Sequence, residues 1–171
     1  HSLMNDAGVS NIWMSQGAGI DKPCFKNIMN IRLKDQFIQK WQTEINDMSK
    51  CSFYKSCKAK PEFEIILLEV PVSLRKYIVK LRSSNHRLPI ERGRYCNIDR
   101  NQRFCDICNL DLLGDEYHLV LECRNEDIVN LRKTFLPMYY IQRPNMLKFV
   151  ELMARISSDS DLAINLAKFL M

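Results

Sequence analysis

Cys105-Asp-Ile-Cys108 is followed by His118 and Cys123, so three thiols and one imidazole recur as C-x2-C-x9-H-x4-C within nineteen residues. This spacing constrains the chain more than any other feature. A tetrahedral ion such as zinc takes four sulfur or nitrogen ligands, and two cysteines separated by two residues can turn both thiolates toward one ion. Leu110 to Gly114 supplies a turn that brings the two halves together, and Leu119-Val-Leu121 can pack as a short helix or strand end. One Zn2+ held by Cys105, Cys108, His118 and Cys123 is expected. Four protein ligands leave no coordination position for water, so such an ion contributes folding energy and not chemistry. A pair of buried cysteines beside an unrelated core histidine, or a redox C-x-x-C, is the competing reading. Cys96 lies near enough in sequence to replace one ligand, while Cys24, Cys51 and Cys57 carry no assigned role.

Hydrophobic periodicity supplies the frame around this motif. Short apolar clusters (Leu3, Met4; Val9, Ile12, Trp13) predict two brief helical pieces before a Gly17-Ala-Gly19 break. Phe25, Met29, Leu33, Phe37, Trp41, Ile45 and Met48 recur almost every four positions, with Pro23 in the first turn, and predict one long amphipathic helix over about 22–48. Its rings are expected in a core. Phe63 to Val70 reads equally as a buried strand or a helical turn. Leu74, Tyr77, Ile78 and Leu81 sit at i, i+3, i+4 and i+7, a second amphipathic helix with a basic wet side. Residues 84–104, broken by Pro89 and Gly93, predict a loop or short hairpin. Three further helices follow near Ile128–Phe135, Met146–Ala154 and Leu162–Leu170, with Asp159 and Asp161 as caps of the last.

The expected fold is therefore mainly α, a helical domain with a small zinc-knuckle-like insertion and at most a short hairpin. Three segments (1–70, 71–124 and 125–171) are expected to form one compact unit. With 46% hydrophobic residues but only five Gly and six Pro, the composition is that of a globular chain. The apolar run Ile65-Ile-Leu-Leu68 falls far short of the roughly 18 residues a membrane helix needs, so no membrane partner is expected. No signal peptide is read, and a start at His1 suggests a segment of something longer. Seven cysteines, an odd number, point to a reducing, intracellular setting, with nucleus and cytoplasm both open.

Charge is concentrated next to the cysteine motif. Between Arg75 and Arg103 nine basic residues (Arg75, Lys76, Lys80, Arg82, Arg87, Arg92, Arg94, Arg100 and Arg103) stand against Glu91 and Asp99, a local net of +7. Guanidinium forks recognise phosphate oxygens, and Tyr95 between Arg94 and this belt can stack on an unpaired base. Those ten side chains form the candidate nucleic-acid contact set, against the alternative of a solvated charged surface. His86 could touch a phosphate, although a solvated loop histidine is the commoner case.

Leu81-Arg82-Ser-Ser-Asn-His86-Arg-Leu88-Pro-Ile90-Glu91-Arg-Gly93-Arg94-Tyr95, then Arg103-Phe-Cys105-Asp-Ile-Cys108, then Gly114-Asp115-Glu116-Tyr117-His118-Leu-Val-Leu-Glu-Cys123, resembles the carboxy-terminal region of reverse transcriptase-like proteins from invertebrate non-LTR retrotransposons. Ile12-Trp13-Met-Ser-Gln16, Arg32-Leu33-Lys-Asp35-Gln36-Phe-Ile-Gln39-Lys-Trp41 and Asp127 to Tyr140 extend the resemblance over roughly residues 3 to 170. It implies a non-catalytic, zinc-bearing extension behind a polymerase thumb that helps to engage template RNA or target DNA, with the upstream polymerase domain as a further partner. The polymerase's own paired aspartates are missing, since no Asp-Asp dipeptide occurs, and neither a Walker loop, a G-x-S-x-G elbow nor an H-E-x-x-H motif is present. No enzymatic activity is expected of this chain. A protein-interaction or scaffold domain, docking through the 21–48 helix or domesticated from such an element, is the alternative from another class.

Overall fold

A computed structural model of the chain describes residues 2–15, 19–50, 53–58, 60–64 and 66–171, with only the backbone described for Ser2, Leu3, Trp13, Ser56, Ile66 and Leu67. Gly17 and Ala18 of the expected break, the Trp13 side chain, Cys51 and Ile65 lie outside the described residues. The structure is mainly helical, and among the described residues the one β pairing is an isolated antiparallel bridge between Phe104 and Leu113. Two compact units, 1–48 and 49–171, make up the chain.

The first unit contains α1 (Ser2–Asp6), α2 (Ser10–Met14) and α3 (Lys22–Asp47). Asp21 starts α3, its carboxylate accepting from the Cys24 N–H at 3.0 Å while Pro23 occupies the first turn. Ala7, Val9 and Ile12 are buried, and Phe25, Ile28 and Met29 of α3 pack against them. The middle of α3 departs from the expected core face. Leu33 is exposed and Phe37 is 58% exposed: the five-residue α1 and α2 bury Phe25, Ile28 and Met29 of α3, and further along α1 meets the helix through the Gln36 side chain, which donates to Asp6 O.

The second unit contains α4 (Tyr54–Cys57), α5 (Ile66–Glu69), α6 (Val72–Arg82), α7 (Pro89–Tyr95), α8 (Glu126–Phe135), α9 (Pro137–Ile141), α10 (Met146–Arg155) and α11 (Ser160–Phe169). Its core is built by Ile78 and Leu81 from α6, Phe149, Leu152 and Met153 from α10, and Ala163, Leu166 and Ala167 from α11. A fully buried aliphatic or aromatic side chain of this size contributes roughly 1.5–3 kcal/mol. Phe149 is central, meeting the Phe53 ring edge-on at 4.9 Å and that of Tyr117 at 6.0 Å. Phe53, Cys57 and Val70 join this core, which is why the division of the chain falls at Met48 and Ser49, ahead of the segment ends read at 70 and 124.

Helix α7 occupies the middle of the stretch 84–104 read as a loop or hairpin, with 84–88 and 96–99 remaining irregular and Arg100–Gln102 forming a single 3-10 turn. Pro89 at its first position and Glu91 in its first turn are helix-starting residues, and Gly93, read as a breaker, sits inside the helix for a packing reason. A Cβ on Gly93 would lie 2.6 Å from Cγ of Arg103, whose side chain runs across the helix to donate to the carbonyls of Ile90 and Ile98, each at 2.9 Å. Ile66–Glu69 is helical, which resolves that part of the strand-or-helix ambiguity.

Arg82, counted with the basic belt by its charge, is 7% exposed and ion-paired with Glu64, which also receives Lys58 at 2.9 Å. Burial pushes the Glu64 carboxyl up, but the hydrogen bond from Lys58 and the charge and hydrogen bond of Arg82 outweigh it and leave the group below its ordinary range. A depressed folded pKa contributes stability above the unfolded value near 4.5 and loses it as pH falls through the folded value. Replacing Arg82 by Met should therefore lower the unfolding free energy by about 3 kcal/mol at pH 7. In denaturant titrations of the full chain that difference should hold above pH 4.5 and shrink as the pH falls through the depressed folded pKa of Glu64.

Candidate metal centre

Two local structures, each closed by backbone hydrogen bonds, bring the four donors together. In the first, Arg103 to Gly114 folds back on itself. Gly114 N–H donates to Arg103 O at 2.9 Å, Cys105 N–H donates to Leu112 O at 2.7 Å, and Phe104 bridges Leu113. Asn109 and Asp111 turn the tip with φ of 53° and 50°, a conformation short polar side chains tolerate. Gly114 is required by close packing, since a Cβ there would stand 2.7 Å from the Pro89 ring and 3.0 Å from Cα of Cys105. Ile90 N–H donates to Gly114 O at 3.1 Å, so α7 braces this hairpin-like loop from behind.

The second is a π-helical turn, His118–Glu122, closed by a 2.6 Å bond from Cys123 N–H to His118 O. On a regular α-helix, residues five apart point roughly 140° away from each other. Widening the turn to an i→i+5 closure brings Cys123 back beneath His118, and such widened turns recur at functional sites. Val120 and Leu121 on the far side of the turn are buried in the helical core, which anchors it.

The thiols of Cys105, Cys108 and Cys123 and a ring nitrogen of His118 all lie within 4.8 Å of one another, with Cys108 Sγ and His118 Nε2 at 3.3 Å. Metal–sulfur bonds of about 2.3 Å place the corners of a tetrahedron roughly 3.8 Å apart. The cluster has the size and donor chemistry to hold one metal ion. Cys96, the spare ligand, is exposed at the end of α7 and is not in the group, and Cys24 is exposed. The Cys57 thiol donates to Phe53 O, and burial pushes it up to about 11.

The surrounding hydrogen bonds orient the donors. Glu122 meets His118 Nδ1 at 3.1 Å, which leaves Nε2 facing the thiols. Asp115 accepts from the His118 N–H at 2.8 Å and so caps the turn, while Ile107 N–H donates to Cys105 Sγ at 3.4 Å. Burial raises the Cys108 thiol, but hydrogen bonds from the Leu110 N–H and from the neighbouring thiols overcome this and bring it below the ordinary value. Cys123 behaves oppositely. Burial, together with the sulfurs of Cys105 and Cys108, pushes it up to about 11. The cluster without a cation thus holds protons that an ion must displace, so metal affinity should rise with pH through the neutral range.

Arg132 escapes sequence reading altogether. It projects from α8 into the interior, where its guanidinium donates to the carbonyls of Val120 at 2.7 Å, Cys123 at 3.1 Å and Leu119 at 3.2 Å. The carbonyls that the widened turn leaves without regular helical partners are satisfied by one planar fork. Asn125 complements it, capping α8 and reaching Ile107 O of the facing loop at 3.5 Å. A single arginine in a helical pattern carries no signal for such a role.

Of the candidate nucleic-acid contact residues, Lys76, Lys80, Arg87, Arg92, Tyr95 and Arg100 are exposed. Arg82 and Arg103 are committed to the interior contacts described above. Arg75 donates to the carbonyls of Val70 and Leu68, and Arg94 is half-buried beside Glu91. His86 is also taken: its Nε2 meets Glu116 at 2.8 Å, and the same carboxylate oxygen receives the Ser84 hydroxyl at 2.7 Å. No family model matches the chain, and comparison with curated proteins and solved structures likewise gives no match.

Two substitutions test this construction. Glu122→Ala should weaken divalent-metal affinity about 10- to 100-fold in competition titrations with a chromophoric chelator while helix content by circular dichroism stays unchanged. Arg132→Lys should lower the unfolding free energy by about 2 kcal/mol, since one ammonium cannot replace a fork serving three carbonyls.

Proposed function

We propose that this chain is a zinc-stabilised, non-catalytic domain that binds RNA or DNA. The carrying observation is the convergence of three thiols and one imidazole within 4.8 Å. Cys3His is a donor set of structural zinc sites, and four protein donors complete a tetrahedron without an open position. The ion then serves to hold the 103–114 loop against the 118–123 turn, and the chemistry of the site is confined to that.

Nucleic acid as partner is supported by the cations that remain available around this loop. Lys80 and Arg87 line a cleft beside Asp106, which lies between the first two donors and is already paired by Arg92 at 2.6 Å. Tyr95 is 74% exposed, with the Arg94 guanidinium 5.9 Å from its ring centre. Exposed cations beside exposed aromatic rings suit phosphates and unpaired bases. The resemblance to the tail of non-LTR reverse transcriptase-like proteins points the same way and adds an upstream polymerase domain as partner. A second reading, a protein contact, is favoured by Leu33 and Phe37, exposed one turn apart on α3.

Binding to a single-stranded oligonucleotide should follow counterion release. With five phosphate contacts, affinity should fall about 100-fold between 50 and 200 mM salt. The double substitution Arg87→Gln, Arg100→Gln should flatten the logarithmic salt slope by about 1.4 without changing sequence preference. Absence of binding at the lowest salt would contradict the proposal, and a Phe37→Lys variant that loses a protein partner while keeping its fold would favour the second reading.

A further inference from the structure

A cleft of about 280 Å³ lies between the start of the metal loop and helix α6. Its inner surface is apolar, formed by Tyr77, Leu81, Leu88, Ile107 and Leu119. Two of these are tied to the metal centre by position, Ile107 lying between the first two donors and Leu119 directly following His118. The volume is near the lower limit of the roughly 300 Å³ at which sites for small organic molecules begin, suited to one planar ring system and not to a helix or an extended chain.

The rim is cationic. Lys80 and Arg87 are exposed and have no carboxylate partner among the described residues. The acid at the rim, Asp106, is neutralised by Arg92 at 2.6 Å. His86 is present but occupied, its Nε2 on Glu116 at 2.8 Å and its Nδ1 facing the Leu88 N–H at 3.4 Å, so it forms a fixed wall of the cleft. Lys76 Nζ stands over the Tyr77 ring, 4.9 Å from its centre, which leaves the opposite ring face for a ligand. An apolar floor that includes an aromatic ring, bordered by exposed cations, complements a flat body that carries an anion.

We infer that this cleft receives one unpaired nucleotide of a single strand, its base against Tyr77 and Ile107 and a flanking phosphate between Lys80 and Arg87. The inference rests on the nucleic-acid reading above and sharpens it, because a duplex keeps its bases stacked and offers the cleft only phosphates. Loss of one base contact costs at least about 5-fold in affinity.

The test uses the full zinc-loaded chain, fluorescent hexamers of dT and U, and a labelled duplex of matched charge. Tyr77→Leu and Ile107→Ser retain the backbone contacts and are checked for metal content and melting temperature. Both should weaken hexamer binding at least about 5-fold and leave duplex binding within about 2-fold, whereas Arg100→Gln, outside the cleft, should weaken both alike. Photo-crosslinking from a 4-thiouridine hexamer should map to the peptides carrying Tyr77, Leu88 or Ile107. Hexamers that bind both variants as tightly as the parent and crosslink elsewhere would overturn the cleft assignment while leaving the nucleic-acid reading standing. Failure of every oligonucleotide to bind at low salt would overturn both. Should a short acidic peptide with one aromatic residue lose affinity in Tyr77→Leu while the hexamers do not, the cleft serves a protein and the nucleotide assignment falls.

Discussion

Two chain reversals must close together for Cys105, Cys108, His118 and Cys123 to meet within 4.8 Å of one another. Burial and the neighbouring sulfurs raise the Cys123 thiol to about 11, whereas hydrogen bonds bring Cys108 below its ordinary value. A divalent ion favours the closed arrangement, because it takes the thiolates as ligands and releases the protons the thiols still hold. The loop from 103 to 114 leaves its apolar residues Phe104, Ile107 and Leu110 exposed and holds one β bridge among the described residues, so its own burial does little to fix its shape.

From the donors outward the connections are short. Glu122 fixes the His118 ring, Arg132 satisfies the carbonyls of the widened turn, and Val120 and Leu121 seat that turn in the core of α6, α10 and α11. On the opposite side, Gly114 and Pro89 join the loop to α7, and Arg103 locks α7 to the loop through two carbonyls. The metal loop is thus held between the helical core and a short basic helix. Any ligand engaged by the exposed cations of that region meets a surface whose shape depends on the cluster.

Much of this was legible in the sequence where a residue pattern maps onto one physical cause. The four donors are found by spacing alone, and α3, α6, α8, α10 and α11 follow from apolar periodicity, from Pro23 in the first turn of α3 and from the cap Asp159 of α11. What escaped depends on contacts distant in sequence. Gly93 signals a break unless the Arg103 side chain lying over it is known, and Pro89 then starts a helix instead of a loop. Arg82 looks like surface charge because charge is counted per residue, whereas its burial is decided by partners such as Glu64, eighteen residues away, and Arg103, half-buried, is taken up by two carbonyls. Phe37 and Leu33 fit an inward stripe by period, yet both are exposed, and among the described residues the buried cluster of the first unit takes in only Phe25, Ile28 and Met29 of α3. Arg132 and Glu116, both buried and both bonded to atoms of distant segments, have no sequence signature at all.

The central proposal is that these four side chains share one zinc ion, and X-ray absorption at the zinc edge of the purified 171-residue chain addresses it most directly. The account predicts one zinc per chain with a first shell of three sulfurs near 2.3 Å and one nitrogen near 2.0 Å. A shell made of oxygen and nitrogen alone, or protein that stays folded while retaining no metal under reducing conditions, would contradict it.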